Sequence, residues 1–484
     1  MRESKNQEWK HFGETEIIKD NLNPEFKKCF NIFYQFEVHQ YMRFLVIDND
    51  SETKYEEIGC VETTLGAIAG SKDLQFQQEI LKYDKSQGQI IVRMISVTSS
   101  TYEVHLKFSA RNLSSYTSCF CNQTSNPYYE IYKTANFGTE IQKQSIFKSE
   151  PVSQSVDRVH KFCAIKFDGS KIGQSFDNLI TIEFSNLIDG ISYYIGEVQT
   201  TINNLLNCIE LEIFNIRTGQ TAGTIVVDSL QIVEKPDFIT YLQRGWGMSL
   251  SVAIDYTGSN GNYTWPQSLH YLDSKNQYQQ AIHAVGSILE YYDNDRLFPV
   301  YGFGGIAKFL GQTKTSHCFP LNGNHEQPEV CGVQGIMDVY RKTLPQIELS
   351  GPTQLSHIIN QALLKAKERE HQNIPQNMYN ILLILTDGEI HDKEQTKQLL
   401  VEFSKYPISV VIVGVGEESF KSMRDLDSDE SILVDSFGQT AVRDIVQFVK
   451  FEDFKNNSVA LGEEVLREIP NQFKKYMEYI SNIM

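Results

Sequence analysis

The sequence has 484 residues, of which 41% are hydrophobic and 22% are charged. A chain of this length is too long for one hydrophobic core, so we expect two to four domains with the composition of ordinary globular proteins. The formal net charge of −17 argues against non-specific nucleic-acid binding and constitutive adhesion to anionic lipid, so membrane contact would need a bridging cation or a local basic patch.

The cellular compartment is predicted from three features. The first eight residues are polar, and no apolar signal core follows them. No run approaches the roughly 20 apolar residues of a membrane span. The eight cysteines are scattered, unlike those of a secreted disulfide framework. We therefore expect a cytoplasmic protein.

Residues 16–97 form a first β-rich region, in which short alternating apolar segments are separated by polar turns. The alternation predicts strands over residues 29–36 and 41–47. Three carboxylates follow the second strand at short spacing: Asp48, Asp50 and Glu56. Carboxylate clusters on loops suit Ca²⁺, although a solvated acidic turn has the same composition.

These acids resemble the third calcium loop of a C2 domain, where the first, third and ninth places bind Ca²⁺. A C2 domain begins with two further strands and another aspartate-bearing loop, and Met1 falls where the third strand would start. The resemblance implies a first C2-like domain that lacks its first strands and has a weak calcium site. Because the missing strands would expose a sheet edge and apolar surface, we expect a locally unfolded or sticky N-terminal region.

A second β-rich region, residues 102–233, also resembles a C2 domain. Ser125-Asn126-Pro stands where the C2 pattern has Ser-Asp-Pro, so Asn126 replaces a calcium-binding aspartate. The three acidic places of the third loop are held by Ser185, Leu187 and Tyr193. Apolar and phenolic side chains do not bind Ca²⁺, so the resemblance implies a C2 fold that has lost its calcium site.

From residue 238 onwards, predicted strands and helices alternate, which indicates a mainly parallel sheet with helices on both faces. Helical spacing is found over residues 279–289, 355–367, 393–406 and 458–480.

Two predicted buried strands of this region, residues 249–255 and 379–386, each end in a polar segment with an aspartate. Because the carboxyl ends of parallel strands share one edge of a sheet, we expect their side chains to meet there. Carboxylate and hydroxyl oxygens suit hard cations, so the sequence predicts a Mg²⁺ or Mn²⁺ site. The five candidate ligands are Asp255, Thr257, Ser259, Thr353 and Asp387.

This constellation resembles the metal-ion-dependent adhesion site (MIDAS) of von Willebrand factor A domains, whose pattern is Asp-x-Ser/Thr-x-Ser, then Thr, then Asp. In that family the ion keeps an open coordination position for an acidic group of a partner. Four further segments look like the copine family, which carries two C2 domains followed by an A domain: Tyr301-Gly-Phe-Gly304 and residues 408–416, 443–449 and 468–472.

The resemblance to copines implies a multidomain fold. We expect two antiparallel β-sandwich C2-like domains, the first incomplete, followed by an α/β doubly wound domain of the von Willebrand A type. The expected boundaries are residues 1–98, 99–235 and 236–484.

The same resemblance implies an adaptor that is not an enzyme. Its partners would be acidic phospholipid membranes, bound reversibly through Ca²⁺ in the first C2 domain, and client proteins. Clients would offer an acidic or coiled segment to the Mg²⁺ or Mn²⁺ of the A domain, and no nucleic acid is expected. The expected localisation is the cytoplasm, with calcium-dependent recruitment to the plasma membrane.

Two other interpretations stay open at this point. Asp255-Tyr-Thr257-Gly-Ser259 also resembles the Asp-Lys-Thr-Gly-Thr motif of haloacid-dehalogenase-like phosphotransferases, in which the aspartate is phosphorylated and downstream acids hold Mg²⁺. Asp387 and Asp392 would be those acids, but the lysine after the aspartate is absent. The second alternative is a purely cytosolic interaction scaffold without lipid binding.

Overall fold

The computed structural model describes most of the chain, namely residues 1–2, 8–51, 54–71, 74–95, 101–114, 126–137, 140–153, 158–173, 175–273, 276–293, 295–371, 377–427, 432–455 and 457–483. Within these ranges, no helix combines the length and apolar character that a membrane crossing requires. The chain forms two compact units: residues 1–95 together with 238–484, and residues 96–237.

The N-terminal part of the first unit is an antiparallel sheet of four consecutive strands in the order β1-β2-β3-β4. Its elements are β1 (Tyr41–Ser51), β2 (Lys54–Thr64), α1 (Leu65–Ala69), β3 (Gln75–Lys82) and β4 (Lys85–Arg93). The strand predicted near residue 41 is present. The expectation of a locally unfolded region does not hold for the described residues of these elements, which form the sheet together with α1.

The strand predicted over residues 29–36 is wrong, because this segment has neither strand nor helix structure. Its aromatic side chains do not share one buried face: Phe33 is 80% exposed, whereas Phe36 is 3% exposed. The segment packs through its side chains and pairs with no neighbouring strand.

The N-terminal part packs against the C-terminal part of the same unit. The Phe36 ring lies 5.0 Å from that of Phe238 and 4.8 Å from that of Tyr292, measured between centroids. The hydroxyl groups of Tyr34 and Tyr292 are hydrogen-bonded. A Cβ on Gly70 would lie 1.9 Å from the Tyr291 carbonyl oxygen, so only glycine fits at this approach.

The second unit, residues 96–237, is an antiparallel β-sandwich. Its strand order is β7-β6-β10-β11-β12-β13-β5-β8, with β9 also paired to β5. The elements are β5 (Thr101–Arg111), β6 (Pro127–Phe137), β7 (Glu140–Lys148), β8 (Val159–Lys161), β9 (Ile165–Asp168), β10 (Ile180–Ile188), β11 (Ile191–Thr200), α2 (Ile202–Asn207), β12 (Glu210–Asn215) and β13 (Gln220–Lys235).

The two layers of this sandwich meet across an aromatic core. Strands β11 and β12 share the register pair Glu197 and Phe214, where the sheet folds over. Phe108 of β5 lies 4.5 Å from Tyr129 of β6 and 6.1 Å from Phe184 of β10 between ring centroids. The alternating side chains of both layers therefore bury one common core.

Residues 238–484 contain a seven-stranded sheet in the order β17-β15-β14-β20-β21-β22, with β18 also on β15. The elements are α3 (Phe238–Gln243), β14 (Gly247–Asp255), α4 (Gln277–Leu289), β15 (Leu297–Phe303), β16 (Gly305–Ala307), β17 (Phe319–Pro320), β18 (Glu329–Cys331), α5 (Gly332–Thr343), β19 (Ile347–Leu349), α6 (Ser356–His371), β20 (Met378–Thr386), α7 (Lys393–Phe403), β21 (Ile408–Gly414), α8 (Lys421–Arg424), β22 (Val446–Lys450), α9 (Ser458–Leu466) and α10 (Ile469–Ile483).

Five strands of this sheet, β15, β14, β20, β21 and β22, are parallel to their neighbours, and β17 and β18 run antiparallel to β15. Along β14, Leu250, Val252 and Ile254 belong to one hydrophobic core and Ala253 to the other. This alternation shows that helices cover both faces. Chain order reverses on either side of β14, and at such a point open α/β sheets have a ligand-binding crevice outside the carboxyl ends of the strands.

The helix predicted over residues 458–480 is two helices, α9 and α10. Pro470 is the second residue of α10. Proline is favoured in the first turn, where its missing N–H costs no helical hydrogen bond, and its presence there fits the break before Ile469.

Candidate metal site at the carboxyl edge of the parallel sheet

Two neighbouring parallel strands bring the aspartates of the site together. Strand β14 ends at Asp255, and β20 ends at Thr386, one residue before Asp387. Ile254 pairs with Leu385 in the register of the two strands. Both aspartates therefore leave the sheet at the same edge.

A cluster of oxygen atoms forms where these strands end. The Asp387 Oδ1 atom accepts hydrogen bonds from Thr257 Oγ1 at 3.2 Å and from Ser259 Oγ at 3.0 Å. The two hydroxyl oxygens lie 3.0 Å from each other. Ser259 is exposed, whereas Thr257 and Asp387 are buried, so the cluster faces solvent on the Ser259 side.

Asp255 lies deeper and is fully buried. Its Oδ1 accepts from the Thr257 backbone N–H at 2.8 Å, and its Oδ2 accepts from Thr386 Oγ1 at 2.6 Å. Each carboxylate oxygen thus accepts one hydrogen bond and keeps a lone pair for a further ligand, but neither is exposed to solvent. A nucleophilic aspartate, as in a phosphotransferase, must be reached by a phosphoryl group, which is much larger than a metal ion, so full burial does not favour that interpretation.

Thr353 lies beside the cluster. It is buried, and its carbonyl oxygen accepts from the His391 backbone N–H at 2.9 Å. Its Oγ1 would be 3.5 Å from a Cβ on Gly388, the residue that follows Asp387. The structure therefore places all five predicted residues at one edge, four of them in direct hydrogen-bond contact and Thr353 adjacent.

The two aspartates carry a charge that their neighbours do not balance. Burial, with the nearby Asp387 carboxylate, raises the pKa of Asp255 to about 7. Burial also raises the pKa of Asp387. The nearest partners of both groups are hydroxyls and a backbone amide, which are neutral donors.

The donor set fits a hard divalent cation, because it combines carboxylate and hydroxyl oxygens at an edge that is open to solvent. Among the residues that the structure describes, no group of three or more His, Cys, Asp or Glu side chains is arranged to hold a metal. Here hydroxyl groups take the places that further carboxylates hold in other sites.

A buried histidine, not indicated by the sequence pattern, supports residues 255–260, the segment at the end of β14 that we call the metal loop. His270 Nε2 lies 2.9 Å from the Asp255 carbonyl oxygen, which only accepts, so Nε2 carries the proton. Nδ1 then accepts from Tyr340 Oη at 2.9 Å. Burial lowers the pKa of His270 to about 3, which keeps the ring neutral. A single histidine without periodic neighbours gives no sequence signal for this role.

Asn260 fixes the other end of the loop. Its Nδ2 donates to the Thr257 carbonyl oxygen at 3.2 Å, and its Oδ1 accepts from Tyr278 Oη at 2.6 Å. Gly304 approaches the same loop with φ of +75°, and a Cβ there would lie 2.4 Å from Thr257 Cγ2. Glycine at this position lets β15 end next to the metal loop.

Asp392 has a structural role that explains its position. Its Oδ1 accepts from the Leu355 N–H at 3.1 Å and its Oδ2 from the Ser356 N–H at 2.9 Å. These amides belong to the residue before α6 and to its first residue, so Asp392 caps that helix from the loop after β20. It is therefore occupied, and the paired-acid role that the phosphotransferase interpretation gives it finds no support.

The calcium candidates of the N-terminal part lie on the hairpin of β1 and β2. Asp48 and Glu56 are directly opposite each other across this antiparallel pair, so their side chains share a face. Both are exposed, and Glu56 lies 3.4 Å from Lys82 Nζ. The Asp50 side chain lies outside the described residues.

In the second unit, amides occupy the region where the C2 pattern has calcium-binding acids. The Asn126 N–H donates to Asn186 Oδ1 at 2.7 Å, and Asn126 Nδ2 donates to the Leu187 carbonyl oxygen at 3.4 Å. Ser185, Leu187 and Tyr193 lie on β10 and β11. Neutral hydrogen bonds thus link Asn126 to the end of β10.

Comparison with known proteins matches an N-terminal and a C-terminal part of the chain to family models. The family model described as Copine matches residues 268–482, and the model of the C2 domain matches residues 3–80. Copine-C of Dictyostelium discoideum is 34% identical over 483 residues, covering 96% of this chain and 87% of the relative. Copine-B of the same organism is 36% identical over 485 residues, covering 96% and 88%. Among solved structures, manganese-loaded TRAP protein of Plasmodium vivax covers 44% of this chain and 71% of its own, with 11% identity and a TM-score of 0.28.

Proposed function

This chain belongs to the copine family, and from that premise we propose that it is a peripheral membrane adaptor. In this proposal the C2 part contacts acidic phospholipid, and the A-type domain holds client proteins through a metal ion. The observation that carries it is the convergence of the Asp255, Thr257, Ser259 and Asp387 side chains at one sheet edge.

The proposed ligands of a Mg²⁺ or Mn²⁺ ion are these four residues with Thr353. When bound, the ion would supply a coordination position for a carboxylate of the client. Asp255 and Asp387 would provide the negative charge, and the three hydroxyls would complete a site of low charge that accepts a further anionic ligand. His270 and Asn260 would hold the loop in place, because they bond to the carbonyl oxygens of Asp255 and Thr257.

Membrane recruitment is proposed to depend on the first C2-like part. Asp48, Asp50 and Glu56 are its candidate Ca²⁺ ligands, and the protein would move from the cytoplasm to the plasma membrane when Ca²⁺ rises. Asp48 and Glu56 share one face of the β1–β2 hairpin, which supports this proposal. The exposed position of both acids and the ion pair of Glu56 with Lys82 indicate weak binding.

A metal titration tests the A-type domain. Mn²⁺ binding to the full chain, followed by electron paramagnetic resonance, should fall at least about tenfold in Asp387→Asn, because one of two site charges is removed. Asp338→Asn removes an exposed charge on α5 and should bind Mn²⁺ like the wild type. Equal Mn²⁺ affinity in the wild type, Asp387→Asn and Asp338→Asn would exclude a metal site at Asp387.

Sedimentation with phosphatidylserine vesicles tests the membrane part. Calcium-dependent sedimentation that Asp48→Asn weakens supports the adaptor. Metal-dependent client binding without any sedimentation would instead indicate a cytosolic scaffold.

A further inference from the structure

The turn that follows the metal loop carries an exposed tryptophan. Trp265 is 59% exposed, and the residues around it, 262–267, are mostly exposed as well. The Trp265 backbone N–H donates to the Asn262 carbonyl oxygen at 2.9 Å, and the Trp265 carbonyl oxygen accepts from the Ser268 backbone N–H at 2.9 Å. The indole is thus presented to solvent from an ordered turn.

This turn is tied to the metal loop by hydrogen bonds. The Asn260 carbonyl oxygen accepts from Ser268 Oγ and from the Leu269 N–H, both at 3.0 Å. Asn260 follows Ser259, whose hydroxyl donates to Asp387. Trp265 is six positions after Ser259, which limits their separation to about 20 Å even for an extended chain, and the closure at Asn260 shortens it. One short peptide can therefore contact both the Trp265 indole and an ion held beside Ser259.

The charge at this edge restricts the partner. Glu417 and Glu418 are exposed on the loop after β21. Gly414 pairs with Thr386 in the register of β20 and β21, and the Val415 backbone N–H donates to the Thr386 carbonyl oxygen at 2.9 Å, so this loop begins beside the residue that precedes Asp387. The whole chain carries a net charge of −17. A strongly acidic partner would be repelled here, whereas a segment with one carboxylate and neighbouring basic residues would be attracted.

We propose that Trp265 is the second contact of the client site. The client is a short peptide segment of a partner protein, with one aspartate or glutamate for the metal, an apolar side chain within about six residues for the indole, and a basic residue for Glu418. Tryptophan buries a large area with few rotamers and is enriched among residues that dominate binding energy. This inference rests on the proposed function, because the carboxylate needs the metal.

Peptide selection on the full chain tests it. A library with a central aspartate and six randomised residues on each side is selected in Mg²⁺ and counter-selected in EDTA. We expect sequences that combine apolar and basic residues. Their affinity should fall at least about tenfold in Trp265→Ala, in the range for a dominant contact, and Trp265→Phe should recover part of it.

Phe437→Ala is the matched control, because Phe437 is 76% exposed and follows Ser436, whose hydroxyl accepts from Gln398 of α7 and not from the turn that carries Trp265. This variant should bind the peptides like the wild type. Metal-dependent binding that Trp265→Ala leaves unchanged overturns the inference but not the proposed function, as does selection of polyacidic peptides. A library without any metal-dependent binder overturns the proposed function itself. Unchanged melting temperatures verify that the exposed substitutions leave the fold intact.

Discussion

At the scale of single residues, the candidate site depends on carbonyl oxygens as much as on side chains. His270 is fully buried and stacks on Tyr278, with ring centroids 4.5 Å apart. Its two nitrogens join the Asp255 carbonyl oxygen to the Tyr340 hydroxyl. The position of Asp255 is therefore set by a residue fifteen positions later in the chain.

We predict that His270→Phe weakens Mn²⁺ binding about 10- to 100-fold, the usual effect of removing a residue that orients a ligand. Phenylalanine keeps the stacking but loses both hydrogen bonds, so the loop is less well fixed. Isothermal titration with Mn²⁺ measures the change. Tyr340→Phe, which removes the bond to Nδ1 alone, should have a smaller effect. A folded His270→Phe protein with wild-type affinity would show that the histidine only fills space.

The residues of this site differ in how far the sequence reveals them. Asp255 and Asp387 follow buried strands, and the shared edge of parallel strands predicts that they meet. Thr257 and Ser259 were predictable from their spacing after Asp255. His270 and Asn260 act through backbone carbonyls, whose partners depend on loop geometry that no periodic pattern encodes. Their roles needed the structure.

At the scale of elements, hydrophobic pattern predicted the strands and helices of the A-type domain, because both faces of its sheet are buried. It failed for residues 29–36, where apolar side chains pack individually and the backbone has no partner strand. The same pattern predicted one helix in place of α9 and α10, because the apolar spacing continues across the break between them and only Pro470 marks that break. A hydrophobic pattern indicates which side chains are buried, but it does not show whether the backbone pairs with another strand.

The short helix α8 is stabilised by a carboxylate from another loop. Glu389 accepts from the Lys421 and Ser422 backbone N–H groups at 2.6 and 2.8 Å, and from the Ser419 hydroxyl at 2.9 Å. Partial burial alone would favour the neutral acid, but the hydrogen bonds from Ser422, Ser419 and Lys421 lower the pKa of Glu389 to about 2. The ionised form is therefore bound more tightly in the folded state.

A depressed folded pKa gives stability that is present above the unfolded value of 4.5 and is lost as pH falls toward about 2. We predict that Glu389→Gln lowers the free energy of unfolding at pH 7 by on the order of 1 kcal/mol, as for loss of a helix cap. The difference from the wild type should shrink between pH 4.5 and pH 2, measured by urea unfolding. A difference that stays constant over this range would contradict the assignment.

At the scale of the whole molecule, the N-terminal sheet depends on contacts with a region two hundred residues away in sequence. Phe36, Ala69 and Leu74 belong to the same hydrophobic core as helix α4. Neither surface shows in sequence that it fits the other, so this packing did not enter the expectation of an unfolded N-terminal region, which rested on an exposed sheet edge and apolar surface. Part of the apolar cover of the N-terminal part comes from the A-type domain.

This packing lies far from the metal edge. The Met248 N–H, at the start of β14, donates to the Tyr292 carbonyl oxygen at 2.9 Å, and Tyr292 contacts Phe36. Asp255 is at the other end of the same nine-residue strand, about 23 Å from Met248 at 3.3 Å per residue. Loosening the N-terminal part should therefore leave the metal site intact.

We predict that Phe36→Ala releases the N-terminal sheet from the rest of the unit. Truncation of a buried phenylalanine costs about 3–5 kcal/mol, and here the loss falls on one interface. Limited proteolysis should cut residues before 95 much faster than in the wild type, while Mn²⁺ affinity stays unchanged.

Phe33→Ala is the matched control, since Phe33 is on the same segment but 80% exposed, and it should be cut like the wild type. If Phe36→Ala resists protease as well as Phe33→Ala does, the N-terminal sheet is stable without this contact. If it instead loses Mn²⁺ affinity, the two ends of β14 are coupled, and the N-terminal part acts on the metal site.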